Sequence, residues 1–246
     1  YDYTVIRPDI IYFHKPYHGY NRVTSVAPDF YTNNLKNYTD MLVYVPYFIA
    51  ASKSTKKELF EGENNADKII SVSKALTKRY IKQGVEQKKL LTIGSPKIDF
   101  MINLSNKKMI PEQWKEKIEG KKVVLLNSTI GRFLRNDNYI ELLEETVNTI
   151  VKEKDIALIW RPHPLLEATI KSMKPEKWDK YHKIKKFIEK IAILDTFEDF
   201  RYAVTVSDGM ISDQSSLART YIATGKPLLF LENSSNNESP TVPVNY

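Results

Sequence analysis

None of the chain's 246 residues is cysteine. A disulfide scaffold and a thiolate-held zinc site are therefore both excluded. Histidine is scarce too, with only His14, His18, His163 and His182 present. So few argue against a histidine-rich metal centre, and no metal or other cofactor is expected. Long apolar runs are also missing. The longest, Met41 to Ala51, is broken by Pro46 and is too short to span a bilayer. There is no internal repeat, no low-complexity tract and no heptad pattern. Nor is there an aromatic-and-basic platform or a recognition-helix pattern, so nucleic acid is not an expected partner.

The chain does contain a core and a charge. Hydrophobic residues make up 42% of it and charged residues 27%, the balance of a folded protein. The net charge is +7 and the isoelectric point about 9.2. That balance suits anionic partners such as nucleotides, phosphate polymers or an anionic membrane face.

Apolar runs alternate with amphipathic stretches throughout. Strands are expected at 9–13, 41–47, 68–72, 90–93, 122–127, 156–160, 191–194, 209–211 and 227–231. They are short, rich in Ile, Val and Leu, and apolar on both faces, as buried parallel strands are. Helices are expected at 74–83, 111–119, 137–152, 165–173, 175–190 and 215–224, with Asp137 as an N-cap and Gly225 as a stop. This alternation predicts an α/β protein of two Rossmann-like lobes. The N-terminal lobe would cover residues 1–97, a linker helix region 98–120, and the C-terminal lobe 121–246. The chain opens at Tyr1 and enters a strand almost at once, so the N-terminal lobe is expected to be truncated.

Polar motifs follow several strands. Residues 209–217 read Gly-Met-Ile-Ser-Asp-Gln-Ser-Ser-Leu. Three hydroxyls and a carboxylate here exceed what one N-cap needs, and a helix start offers free N–H donors to a phosphate. Arg161-Pro162-His163-Pro164 follows the strand at 156–160; the prolines stiffen a loop carrying a planar phosphate-binding fork and an imidazole. Ser128, Thr129, Gly131, Arg132 and Arg135 follow the strand at 122–127, where they form either a phosphate-approaching loop or a plain βα loop. His14, Lys15, Tyr17 and His18 follow the first strand, where a general base would suit.

Taken together these motifs resemble the CDP-glycerol glycerophosphotransferase family of teichoic-acid polymerases. The carrying residues are the His14–Gly19 loop, Ser71-Val72-Ser73-Lys74, Gly94-Ser95-Pro96, the loop at 127–132, Arg161-Pro162-His163-Pro164 and Ser212-Asp213-Gln214-Ser215-Ser216. Gln214 stands where the family commonly has Tyr, and Ala218-Arg219-Thr220 where it commonly has an acidic residue. The resemblance implies a GT-B-type fold and a transferase that moves a glycerol phosphate or similar polyol phosphate from a CDP-linked donor. The acceptor would be a hydroxyl of a lipid-linked polyol-phosphate or glycan polymer precursor. Arg161, His163, Ser215 and Ser216 would hold the donor phosphates, aided by Ser128, Thr129 and Arg132, and Asp213 would orient the loop. His18, with His14 as the alternative, would be the base. The expected location is cytoplasmic, peripheral on the inner face of the membrane. Two alternatives stand beside this reading: a UDP-sugar glycosyltransferase or epimerase of the same fold, and a non-catalytic anion-binding α/β module.

Overall fold

The structure is a computed structural model and describes residues 2–18, 26–47, 59–213 and 215–231. Gly19, Gln214 and the side chain of Arg135 lie outside that description. The chain divides into two compact units, one up to Ile98 and one from Asp99.

The first unit is built on a four-stranded parallel sheet of β1 (Ile10–Phe13), β2 (Met41–Tyr44), β3 (Lys68–Ser71) and β4 (Leu90–Thr92), in that spatial order. Its helices are α1 (Tyr3–Ile6), α2 (Thr32–Leu35), α3 (Glu61–Asn65) and α4 (Lys74–Lys82). Ser73 caps α4 by accepting from the Leu76 N–H at 3.2 Å. The core joins Tyr44 and Ile69 of the sheet to Tyr80 of α4, with Val85 and Leu90. Tyr80 also donates to the buried Glu63 carboxylate at 2.9 Å, which ties α4 to α3. Gly62 brings α3 onto the loop after β1: its N–H donates to the Pro16 carbonyl at 2.9 Å.

The second unit holds a five-stranded parallel sheet. Its strands are β5 (Lys122–Ser128), β6 (Ile156–Pro162), β7 (Ile193–Leu194), β8 (Gly209–Ser212) and β9 (Leu228–Phe230), ordered β7-β6-β5-β8-β9. Its helices are α5 (Pro96–Ser105, entering from the first unit), α6 (Lys115–Ile118), α7 (Ile130–Arg135), α8 (Tyr139–Ile150), α9 (Leu166–Met173), α10 (Trp178–Ile191), α11 (Arg201–Val206) and α12 (Ser216–Tyr221). Successive β-strand residues point to opposite faces, and both faces are covered. Leu126, Leu158 and Trp160 pack under α8, α9 and α10. Val123, Leu125 and Ile159 pack under α5, α11 and α12.

Each of the nine expected strands lies within the predicted stretch or overruns it by one or two residues. The helices differ more. Residues 99–120, expected to form a linker, belong to the second unit, where Met101, Leu104 and Trp114 are buried in its core. The loop at 127–132 becomes α7 from Ile130, capped by Thr129. Asp137 does not cap α8. The N-cap is Asn138, and the exposed Asp137 carboxylate pairs with Lys177 at 2.7 Å. Among the described residues, no helix is long and apolar enough to cross a membrane.

Candidate functional site

The second sheet starts at its centre. From β5 the chain runs to β6 and β7 on one side, then returns to β8 and β9 on the other. Strand order therefore reverses between β5 and β8, and in open α/β sheets the crevice at the strand ends there is where ligands bind. The register brings the polar strand ends level: Asn127 pairs with both Arg161 and Ser212, and Ser128 pairs with Pro162.

Side chains then lock the loops after β5 and β8 together. Asn127 Nδ2 donates to Ser212 Oγ at 2.9 Å and to Ser215 Oγ at 3.1 Å. Ser215 also caps α12, accepting from the Ala218 N–H at 2.9 Å. The buried Asp213 carboxylate accepts from the Thr129 N–H at 3.0 Å and the Thr129 hydroxyl at 2.7 Å through one oxygen, Oδ2. Thr129 Oγ1 in turn accepts from the Arg132 N–H at 3.4 Å. Asp213 thus organises the start of α7 through Thr129, the residue that caps it.

The expected phosphate ligands are placed unequally. Ser128 is buried, and its hydroxyl accepts from Trp160 Nε1 at 3.0 Å. Arg161 is buried as well. Its Nη1 donates to Asp195 Oδ2 at 2.5 Å and its Nη2 to the Glu198 carbonyl at 3.2 Å. Burial pushes the Asp195 carboxyl above its ordinary value of 3.8, while the Arg161 charge pulls it back. Arg161 therefore holds the 195–198 loop rather than standing in solvent. Beside it lies a cavity of about 190 Å³ lined by His163, Tyr181, Asp195, Phe197 and Glu198.

His163 is exposed, and its N–H donates to the Ser128 carbonyl at 2.9 Å, pinning the end of β6 to β5. Its Nδ1 accepts from the Leu165 N–H at 3.1 Å, so the neutral ring carries its proton on Nε2. Desolvation holds its pKa below the ordinary 6.5, which keeps the ring neutral near pH 7. Ser216 is exposed in the first turn of α12, and Arg132 lies in α7. Asn127 and Asp195 complete the site. The available signal was a polar residue ending an apolar strand for Asn127 and one directly after an apolar strand for Asp195.

In the first unit, His18 is only 3% exposed and stacks on Tyr31 with ring centroids 4.8 Å apart. Its Nε2 accepts from the Thr32 N–H at 3.1 Å and lies 2.7 Å from Thr32 Oγ1. Nε2 is thus the lone-pair nitrogen, and Nδ1 carries the proton of the neutral ring. Burial lowers the His18 pKa from the ordinary 6.5. His14 is exposed, edge-on to the Tyr47 ring at 6.0 Å. Among the described residues, no cluster of three or more His, Asp or Glu side chains could hold a metal ion.

No curated protein sequence matches the chain. Among solved structures, it is similar to a protein described as a UDP-N-acetylglucosamine 2-epimerase from Listeria monocytogenes. The TM-score is 0.65 at 19% identity, over 94% of this chain and 59% of that one. Similarity to the S. aureus MnaA–UDP co-structure gives a TM-score of 0.62 at 16% identity, over 93% and 58% of the two chains. For the wall teichoic acid polymerase TagF the TM-score is 0.48 at 15% identity, over 90% and 62%. The chain spans about three fifths of the length of the structures it matches. The first two likenesses show the fold, a two-lobed α/β architecture of the GT-B type with parallel sheets. The sequence says more: residues 39–236 match the family described as CDP-Glycerol:Poly(glycerophosphate) glycerophosphotransferase, and the chain belongs to that family.

Proposed function

We propose that this chain is part of a transferase that moves a glycerol-phosphate or similar polyol-phosphate group from a CDP-linked donor to a hydroxyl of a cell-surface polymer precursor. The observation that carries the reading is the locked polar edge at the β5–β8 reversal, in a chain matching the family over residues 39–236. In such a transfer the acceptor oxygen bonds to the phosphorus next to the polyol, the bond to the bridging oxygen breaks, and CMP leaves. The protein's work is positioning and charge stabilisation.

His163 donates from Nε2 to the donor phosphates, and Ser216 adds a hydroxyl at the start of α12. Thr129, Asp213 and Ser215 keep the loops in place through the bonds already described. Arg161 acts through Asp195 and Glu198, as a support for the loop after β7. The proton acceptor is His14. The resemblance points to His18, but the neutral His18 ring has its lone pair directed at Thr32 and a proton on Nδ1. A general base needs a lone pair facing the substrate, so His18 is not placed to take the acceptor proton.

The test is calorimetric titration of the chain with CDP, CMP and UDP, repeated on His163→Ala and Ser216→Ala. UDP is the control nucleotide because structures similar in fold include a UDP complex. Binding of CDP that weakens in both variants supports the reading. A preference for UDP would turn it toward a sugar-nucleotide enzyme, and unchanged CDP affinity in both variants would refute the site.

A further inference from the structure

The second sheet has another polar edge, at the N-terminal ends of its strands. A cavity of about 800 Å³ lies there beside the start of β5, lined by Lys108, Lys115, Lys121 and Lys122. Buried Val123 and Val206 give it an apolar lining, and Glu119 and Asp155 bring carboxylates to it. Strand β5 is 7 residues long, so this edge lies about 20 Å from the β5–β8 crevice.

Backbone bonds fix the rim. Gly120 makes the left-handed turn between α6 and β5 at a φ of 69°, and the Lys121 N–H donates to the Ile118 carbonyl at 3.1 Å. The Lys122 N–H donates to the Asp155 carbonyl at 2.8 Å. Asp208 also reaches the cavity but is engaged by β5. Its N–H donates to the Val123 carbonyl, and its Oδ2 accepts from the Val123 N–H, both at 2.7 Å. Lys115 is met by Glu112 at 2.6 Å, whereas Lys108, Lys121 and Lys122 make no ion pair among the described residues. Lys226 adds a further ammonium nearby, donating to the Val204 and Thr205 carbonyls at 2.9 and 3.3 Å. Burial lowers its pKa from the ordinary 10.5, and the Lys108 charge acts in the same direction.

Like charges gathered on one rim favour an anion between them. The carboxylates narrow the choice. Glu119 and Asp155 repel a bare oligophosphate and can only accept hydrogen bonds. A ligand that alternates phosphates with hydroxyls suits both signs. The ammonium groups meet its phosphates, and the carboxylates accept from its hydroxyls.

We propose that this cavity is a second ligand site, one that holds a stretch of polyol-phosphate chain on the edge of the sheet opposite the donor. The assignment takes its ligand class from the transferase reading above, and its test separates the two. A short glycerol-phosphate oligomer and inorganic triphosphate are titrated into the full chain. Binding is followed by the amide NMR signals of residues 120–123, which report this edge alone. CDP is titrated calorimetrically in parallel, and circular dichroism melts check folding. Lys121→Gln/Lys122→Gln removes two solvated charge-assisted contacts and should weaken the oligomer about tenfold, with CDP affinity unchanged. Lys183→Gln/Lys186→Gln removes the same charge from the exposed face of α10 and should leave oligomer affinity at the wild-type value. Glu119→Gln should weaken the oligomer and strengthen triphosphate, opposite shifts that a purely structural role would not give.

Oligomer affinity retained in the Lys121/Lys122 variant, or lost equally in the Lys183/Lys186 variant, would overturn the assignment. So would a Glu119→Gln variant that binds both probes more tightly. A chain that binds CDP while the oligomer leaves residues 120–123 unmoved would refute this site and keep the donor reading. Oligomer binding here without CDP binding would uphold the site and refute the donor reading, and binding of neither would refute both.

Discussion

Asp195 stands directly beside Arg161, carboxylate to guanidinium at 2.5 Å, because Leu194 pairs with Trp160 across β7 and β6. Both side chains are almost completely out of solvent, at 9% and 0% exposure for Arg161 and Asp195. Removing either member leaves the other charge buried and unpaired. Arg161→Met or Asp195→Asn should each cost about 3–5 kcal/mol of stability in the second unit. The double variant Arg161→Met/Asp195→Asn should cost well under the sum of the two. Urea denaturation of all four proteins closes the cycle, and additive losses would deny the pair its structural role.

His18 gives a pH prediction of definite sign. Its folded pKa lies below the ordinary 6.5, with burial as the first cause. The associated stability is complete above that ordinary value. It is lost as pH falls from about 6.5 through the lowered folded value, because the unfolded chain then binds the proton more readily. His18→Asn should flatten this part of the stability profile. Nitrogen chemical shifts above pH 7 should show a protonated Nδ1 and a bare Nε2; the reverse tautomer would return His18 to candidacy as the base.

Gly62 fixes the loop that carries both N-terminal histidines. A Cβ added there would stand 2.8 Å from Pro16 Cα and 2.9 Å from the Pro16 carbonyl oxygen, both backbone atoms. Gly62→Ala should therefore destabilise the first unit by about 1–3 kcal/mol. It should also shift the NMR signals of residues 14–18. Unchanged signals would mean that α3 can retreat from the loop without consequence.

The serine pair at the start of α12 should separate stability from binding. Ser215 is both N-cap and acceptor for Asn127. Ser215→Ala should cost about 1–2 kcal/mol in denaturant titrations. Ser216 is exposed. Ser216→Ala should stay within about 0.5 kcal/mol of wild type, yet weaken CDP binding. Equal stability losses would show that both serines are structural.

The central strands were legible because they bury both faces, so short runs such as Leu125-Leu126 and Ile69-Ile70 stand out whatever the packing. The short helices were not. In α11, Arg-Tyr-Ala-Val-Thr-Val is rich in β-branched residues, yet it is helical because Ala203, Val204 and Val206 pack against the sheet. Asp137 had the chemistry of a cap, and a tertiary partner 40 residues away, Lys177, took its carboxylate instead. The site followed the same division. Polar residues at strand ends could be read directly, and Ser215 and Thr129 do cap helices. Which arginine is spent within the fold could not be read, because that depends on Asp195 lying next to Arg161 once β7 pairs with β6.

The Asn127 side chain reaches two serines on the far side of the strand-order reversal. Asp213 makes the return link to Thr129. The segments after β5 and β8 are thus one interchangeable part in two pieces. A graft that transplanted residues 212–216 alone into a related lobe would arrive without its anchor, and one that moved 127–132 alone would leave Asn127 and Thr129 facing strangers. Diversification of specificity in this lobe should accordingly proceed by paired changes in the two segments.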